Sequence, residues 1–311
     1  MQMLSGFVAR SSMSFARRLR ASRPGGVVVC GHTLTAPQTR FQVDVLARWF
    51  DFIHHDDLLQ RLERPRARPF CLLTFDDGKR SNATELAPEL ARLGVPAAFY
   101  VVTEFLTAGE PLWFDRQQAL VDALGHTPAG LDQPTLKRLR LAEVNDRLDR
   151  ACAQHGVGPD MESDDVRPMS WDDARRMAHQ GFTIGAHNVR HATLTNESER
   201  DALSDIERSI ATVSVELGAP CTSFAFPNGN YTPRLAQHAL EAGARTVMTT
   251  EPTWVDAHTL PWRVPRIQLF GEHTRAKIEL KLAAAATGRL LVNPDGTGRA
   301  YVRQRRGEAR A

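Results

Sequence analysis

Short apolar runs alternate along this chain with segments whose apolar positions recur at steps of three and four, the pattern of βα units in a parallel sheet or barrel. Val27–Cys30 predicts a first strand and Phe70–Phe75 a second. Ala97–Val102 predicts a third, after an Ala-, Leu- and Glu-rich helix that ends near Leu93-Gly94, with glycine as terminator. Ser170 is placed to cap a helix over Trp171–Gln180, with Asp173 at its third position and Gly181 closing it. Phe182–Ala186 is the next strand. Leu203, Ile206, Ile210, Val213 and Leu217 then mark one face of a helix that Gly218 ends. Strand Thr222–Phe226, helix Pro233–Ala242, strand Thr246–Thr249 and strand Val264–Phe270 complete the alternation.

Residues 109–168, from Gly109 to Pro168, carry no strand signal and read as a helical insertion able to wall one side of a cleft. The expected organisation is a basic N-terminal segment over 1–24, a βα unit over 25–275 containing that insertion, and a helix with a basic tail over 276–311. A chain of 311 residues fits one large domain or two, since barrels of about 250 residues form single domains.

The formal charge of +3 is mild, and its basic excess sits at the ends, Arg10–Arg23 and Arg299–Arg310. A nucleic-acid binder would show a basic face interleaved with aromatics, so nucleic acid is not an expected partner. The four cysteines, Cys30, Cys71, Cys152 and Cys221, are dispersed without CxxC spacing, and the first two sit in apolar runs as small hydrophobes. No run reaches the roughly 18 apolar residues of a membrane span, and Leu4–Ala9 is too brief for a secretion signal. The expectation is a cytoplasmic protein, with peripheral contact at the inner membrane face through Phe7, Phe15, Leu19 and neighbouring arginines.

Candidate chemistry lies where strands end. Thr74-Phe75-Asp76-Asp77-Gly78 closes the second run, and His187 and His191 stand four apart beyond the Phe182–Ala186 strand. A catalytic Zn²⁺ site uses three nitrogen or oxygen ligands and keeps a position for water. Asp77, His187 and His191 can supply the three, leaving Asp76 as general base. Side chains alternate along a strand, but at an Asp-Gly turn both carboxylates can face one pocket. An Asp-Asp-Gly turn alone is ordinary, and so is a pair of loop histidines. Their joint occurrence, about 110 residues apart, points to chemistry. His32 after the first strand and Pro227-Asn228-Gly229 after a later one fall on the same barrel face.

These residues resemble the polysaccharide deacetylase family, the NodB-homology domain of carbohydrate esterase family four. Thr74–Gly78 reproduces its TFDDG motif. His187-Asn188-Val189-Arg190-His191 matches H-[ST]-x-x-H with Asn in place of Ser or Thr, and Phe224–Gly229 resembles its FAYPxG variant, with Tyr231 shortly after. The resemblance covers about Gly26 to Phe270. It implies a deformed (β/α)7 barrel, a metal on Asp77, His187 and His191, and Asp76 as base. The exopolysaccharide-associated branch places a Tyr-His pair after the first strand as general acid; here Gly31-His32 stands there, so only His32 carries over. The same branch has an arginine that orients the base, matched by Arg266 in Val264-Pro265-Arg266-Ile267.

The implied reaction is metal-assisted hydrolysis of N-acetyl groups on an amino-sugar glycan or its lipid-linked precursor. The ion is expected to be Zn²⁺, with Co²⁺, Ni²⁺ or Fe²⁺ as alternatives. Pro227, Asn228, Gly229 and Tyr231 are the expected oxyanion and substrate group, the Asn228 N–H facing the oxyanion. Trp113 and Trp262 join Tyr231 as candidate sugar-binding faces. A deformylase or deacylase of a lipid-linked sugar and a non-catalytic carbohydrate binder are the alternatives.

Overall fold

The computed structural model describes residues 24–64 and 68–288; both basic ends, with the expected N-terminal membrane contact, lie outside them. Among the described residues no helix is long and apolar enough to cross a membrane. Eight strands form one sheet: β1 (Gly26–Gly31), β2 (Asp51–Phe52), β3 (Phe70–Phe75), β4 (Ala97–Val101), β5 (Thr183–Ala186), β6 (Ser223–Ala225), β7 (Thr246–Met248) and β8 (Ile267–Gln268). Their order is β7-β6-β5-β4-β3-β1-β8, with β2 beside the start of β3, and each ladder is parallel. Val264 bridges to Met248 while Ile267 pairs with Val29, so the segment after β7 reaches back to β1 and the sheet curls towards a barrel. This is the deformed (β/α)7 architecture.

Period-two alternation splits the core in two. Val27, Val29, Cys71 and Leu73 pack outward under the helices, while Val28, Phe70, Leu72, Ala98 and Tyr100 fill the barrel. Both faces are covered, which is why these strands are continuously apolar. Carrying the inward set of β3 beyond Phe70 and Leu72 brings Thr74 and then Asp76 to the barrel's upper end. Register does the rest: Gly31 pairs with Phe75, so His32 and Asp76 emerge side by side, and Val101 pairs with Ala186, so His187 leaves β5 at the same end of the sheet, its Nε2 3.9 Å from Asp76 Oδ2.

The Ser170 capping box with Asp173 and the helix Glu199–Leu217, capped by Ser198, form as their sequences predict. Two expectations change. The Val264–Phe270 strand shrinks to Ile267–Gln268 plus the single Val264 bridge, since Pro265 offers no N–H for a ladder. The two-residue β2 is too short to leave a periodic signal. The insertion is helical, with helices Trp113–Leu124, Gln133–Leu136 and Leu141–His155.

Candidate active site

Beyond Phe75 the chain turns sharply. Asp77 takes φ 78° and Gly78 φ 81°, left-handed values that break the strand's alternation. Both carboxylates therefore enter one cavity, and Asp76 and Asp77 are only 4% and 3% exposed. A Cβ on Gly78 would lie 2.9 Å from Leu106, so the turn needs glycine on both counts.

His187 is tied to the sheet, its N–H donating to Val101 O at 2.9 Å. Its Nδ1 lies 2.8 Å from Ala225 O, a contact only the protonated nitrogen can make, which leaves the Nε2 lone pair facing Asp77 Oδ1 at 3.7 Å. Burial pulls its pKa down to about 4, keeping it neutral and able to ligate. His191 brings its Nε2 to 3.3 Å from the same Asp77 oxygen. One ligand atom from each of Asp77, His187 and His191 falls within 4.8 Å of the others. Asp77 Oδ1 and His191 Nδ1 are buried with no hydrogen-bond partner among the described residues. A buried Asp77 Oδ1 without a hydrogen-bond partner, faced by the Nε2 atoms of His187 and His191, is what a divalent cation would satisfy.

The loop between the histidines is held by the residue that departs from the motif. Asn188, at φ 61°, accepts the His191 N–H on Oδ1 at 2.6 Å and donates from Nδ2 to Ala192 O at 3.0 Å. An asparagine tolerates the left-handed region and closes its own turn, doing both tasks here. Asp205, from the helix Glu199–Leu217, accepts the Val189 N–H at 3.0 Å, and burial pushes its pKa up to about 6. No sequence motif marks it, because its partner is a backbone amide 16 residues away.

Asp76 is gripped by Arg266, whose two terminal nitrogens donate to its two oxygens at 2.7 and 2.8 Å. Arg266 is 0% exposed; Nε donates to Thr249 O, Nη1 also reaches Thr74 Oγ1, and the guanidinium lies over Tyr100. Burial is the largest influence and opposes ionisation of Asp76, but the charge and hydrogen bonds of Arg266, with His187 and His32 nearby, together hold the carboxyl below its usual range. Burial likewise works against the Arg266 charge, and Asp76, with Cys30 and Tyr100 beside it, holds that charge in place. Cys30, which follows Val28 on the inward face of β1, lies 3.3 Å from Asp76 Oδ2 through its sulfur.

The cavity holding these groups has a volume of about 340 Å³ and is also lined by His32 and Asn228. Asn228 sits at φ 57°. Pro227 has no N–H, and those of Gly229 and Asn230 donate to Phe226 and Pro227, so the Asn228 amide is the one this turn leaves for a ligand. Gly229 is obligatory: at φ 71°, a Cβ there would lie 1.9 Å from Thr250 Oγ1.

Tyr231 falls outside the cavity lining. Its hydroxyl donates to Glu251 at 2.6 Å, and its ring leans on Phe226 with centroids 5.9 Å apart. Trp262 also packs against the core away from the cavity, whereas Trp113 lines it. Lys79, Phe114, Gln133, Lys137, Asp165 and Phe270 also belong to the wall, none of them marked by a motif. Four of these six, with Trp113, bracket or belong to the insertion, which does wall the cleft.

Residues 63–247 match the polysaccharide deacetylase family. That span contains Asp76, Asp77, His187, His191 and Asn228, but neither His32 nor Arg266. Among solved structures, the deacetylase PplD of Streptococcus pyogenes, in complex with acetate, is 13% identical, with 84% of this chain and 99% of that one covered at a TM-score of 0.59. IcaB from Ammonifex degensii is 17% identical, with coverage of 85% and 99% and a TM-score of 0.58. The BpsB deacetylase domain from Bordetella bronchiseptica is 18% identical, with coverage of 79% and 96% and a TM-score of 0.55. At such identities the likeness is one of fold. No curated protein matches the chain.

Proposed function

From the premise that this chain belongs to the polysaccharide deacetylase family, we propose that it is a metal-dependent hydrolase removing N-acetyl groups from an amino-sugar glycan or its lipid-linked precursor. The supporting observation is the orphaned buried Asp77 Oδ1, faced by the Nε2 atoms of His187 and His191 in a three-ligand cluster, beside a fourth ionisable group, Asp76, that the cluster does not need. A pure binder has no use for that extra base. Asp77, His187 and His191 would hold the ion, Zn²⁺ first given one carboxylate and two imidazoles. When bound, such a cation acts as a Lewis acid on the water and the amide carbonyl.

The remaining steps belong to the chain's own side chains. Asp76 accepts the proton of the attacking water as its oxygen bonds to the acetyl carbon. Arg266 fixes the plane of that carboxylate, so a free lone pair is already aimed when water arrives. The Asn228 N–H donates to the developing oxyanion. His32, on the cavity wall, gives a proton to the nitrogen as the C–N bond breaks. Acetate and a free amine are the products.

Acetate release from an N-acetylglucosamine oligosaccharide and from a lipid-linked N-acetylated sugar tests this reading. Acetate is expected from at least one, and His32→Ala should lower kcat by roughly 10²–10⁴-fold, the usual worth of a positioned acid, without raising KM. Formate or a longer acyl product would favour the deformylase or deacylase alternative. Binding without any released acid would favour the inert binder. The lipid-linked arm also bears on the expected membrane-face setting.

A further inference from the structure

The two metal-site histidines are held differently. His187 has its Nδ1 fixed on Ala225 O, whereas His191 Nδ1 has no partner among the described residues, so packing takes the place of that outer hydrogen bond in setting the His191 ring. Besides the His187 ring, centroids 5.1 Å apart, that packing comes from Trp113 and Phe114 of the insertion, with Asp115 anchoring them next in the chain. Trp113 Nε1–H donates to the His191 carbonyl at 3.3 Å. Phe114 meets the His191 ring edge-on, centroids 5.1 Å apart and planes at 75°. Asp115 pairs with the buried Lys79, two positions beyond Asp77, and the Lys79 ammonium lies 5.1 Å from the centre of the Phe114 ring.

The far end of the insertion grips the same turn. Met169 N–H donates to Gly78 O at 3.0 Å, Arg80 N–H to Arg167 O at 2.9 Å and Ser81 N–H to Asp164 O at 2.8 Å. One segment thus ties the Asp-Asp-Gly turn to the His191 loop, which come from β3 and β5 and are separated in the sheet by β4.

Resting on the metal-site reading above, we infer that Trp113, Phe114 and Asp115 form a brace that orients His191 towards Asp77 and so sets the affinity of the site for its ion. They are positioning residues: they act through His191 and the Lys79 turn. Removing the Phe114 ring frees the imidazole to rotate away from Asp77, and the ligand set must then be ordered at the moment of binding.

The test is Zn²⁺ affinity, measured by competition with a chromophoric chelator on the full chain, for the parent, Phe114→Leu, Phe114→Tyr and Trp113→Phe. Phe114→Leu should bind roughly 10–100-fold more weakly, the range for loss of a group that orients a ligand. Trp113→Phe should show a smaller loss, and Phe114→Tyr, which keeps the ring, should bind like the parent. The unfolding midpoint of the metal-stripped chains should stay the same. Parent-like affinity in Phe114→Leu, or a loss matched by a fall in the metal-free midpoint, would overturn the brace alone. A parent chain that retains no Zn²⁺ would overturn the metal-site reading and the brace with it.

Discussion

Asp76→Asn will lower turnover by roughly 10²–10⁴-fold, the usual contribution of a general base, while Zn²⁺ content stays that of the parent. Asparagine keeps the shape of the side chain and one acceptor for Arg266, but it cannot take a proton from water. Because Arg266 holds Asp76 below the usual carboxylate range, the parent base is ionised throughout the neutral pH range. The deficit in the variant should therefore be pH-independent there. Steady-state kinetics beside metal analysis checks this: retained metal shows that Asp77, His187 and His191 still converge. Turnover equal to the parent's would remove Asp76 from the chemistry.

Arg266→Met strikes stability as well as rate. Breaking a buried pair from one side leaves an uncompensated charge and typically costs about 3–5 kcal/mol; here Asp76 would keep only weaker neighbours, the Cys30 thiol at 3.3 Å and His187 Nε2 at 3.9 Å among them. The sign with pH follows from linkage. The folded-state pKa of Asp76 is depressed, so the pair's stabilisation is present above the unfolded carboxylate value of about 3.9 and lost as pH falls through the folded value. In the variant burial, the largest influence on Asp76, loses its main counterweight and pushes the pKa upward, so ionisation there costs stability as pH rises. Denaturant unfolding should show a wide gap between parent and variant at neutral pH, narrowing under acid conditions. A gap of constant width would mean that the arginine contributes packing rather than charge. Turnover should fall too, since the base loses its fixed plane.

Much of this was legible in the chain because the signals are local. Continuous apolar runs mark strands covered on both faces, and the Asp-Asp-Gly turn announces where one of them ends. The two histidines follow a later run of this kind, Phe182–Ala186. Arg266 was reachable through its flanking residues, and the structure shows the reason for it: the Val264 bridge and β8 hold that segment between β7 and β1 with the guanidinium inside the barrel.

What escaped the sequence depends on distant partners. Lys79 and Asp115 look like solvated charges until the insertion folds back and buries both. Asp205 supports the histidine loop through a backbone amide, which has no residue-type signature. Tyr231 shows the opposite error: an aromatic near a motif suggests a sugar face, yet its hydroxyl is bonded to Glu251, out of the cavity. Asn188 departs from the motif and still closes the loop, because the hydrogen-bond pattern and the left-handed backbone are what the site requires.

The claim on which the rest depends is that a single divalent ion, held by Asp77, His187 and His191, is needed for hydrolysis. Acetate release from one batch of protein, assayed as purified, after exhaustive chelation and after return of one equivalent of Zn²⁺, tests it directly. Activity should vanish on chelation and come back with the ion, and Asp77→Ala should show neither activity nor recovery. Undiminished acetate release from the chelated chain would contradict the account.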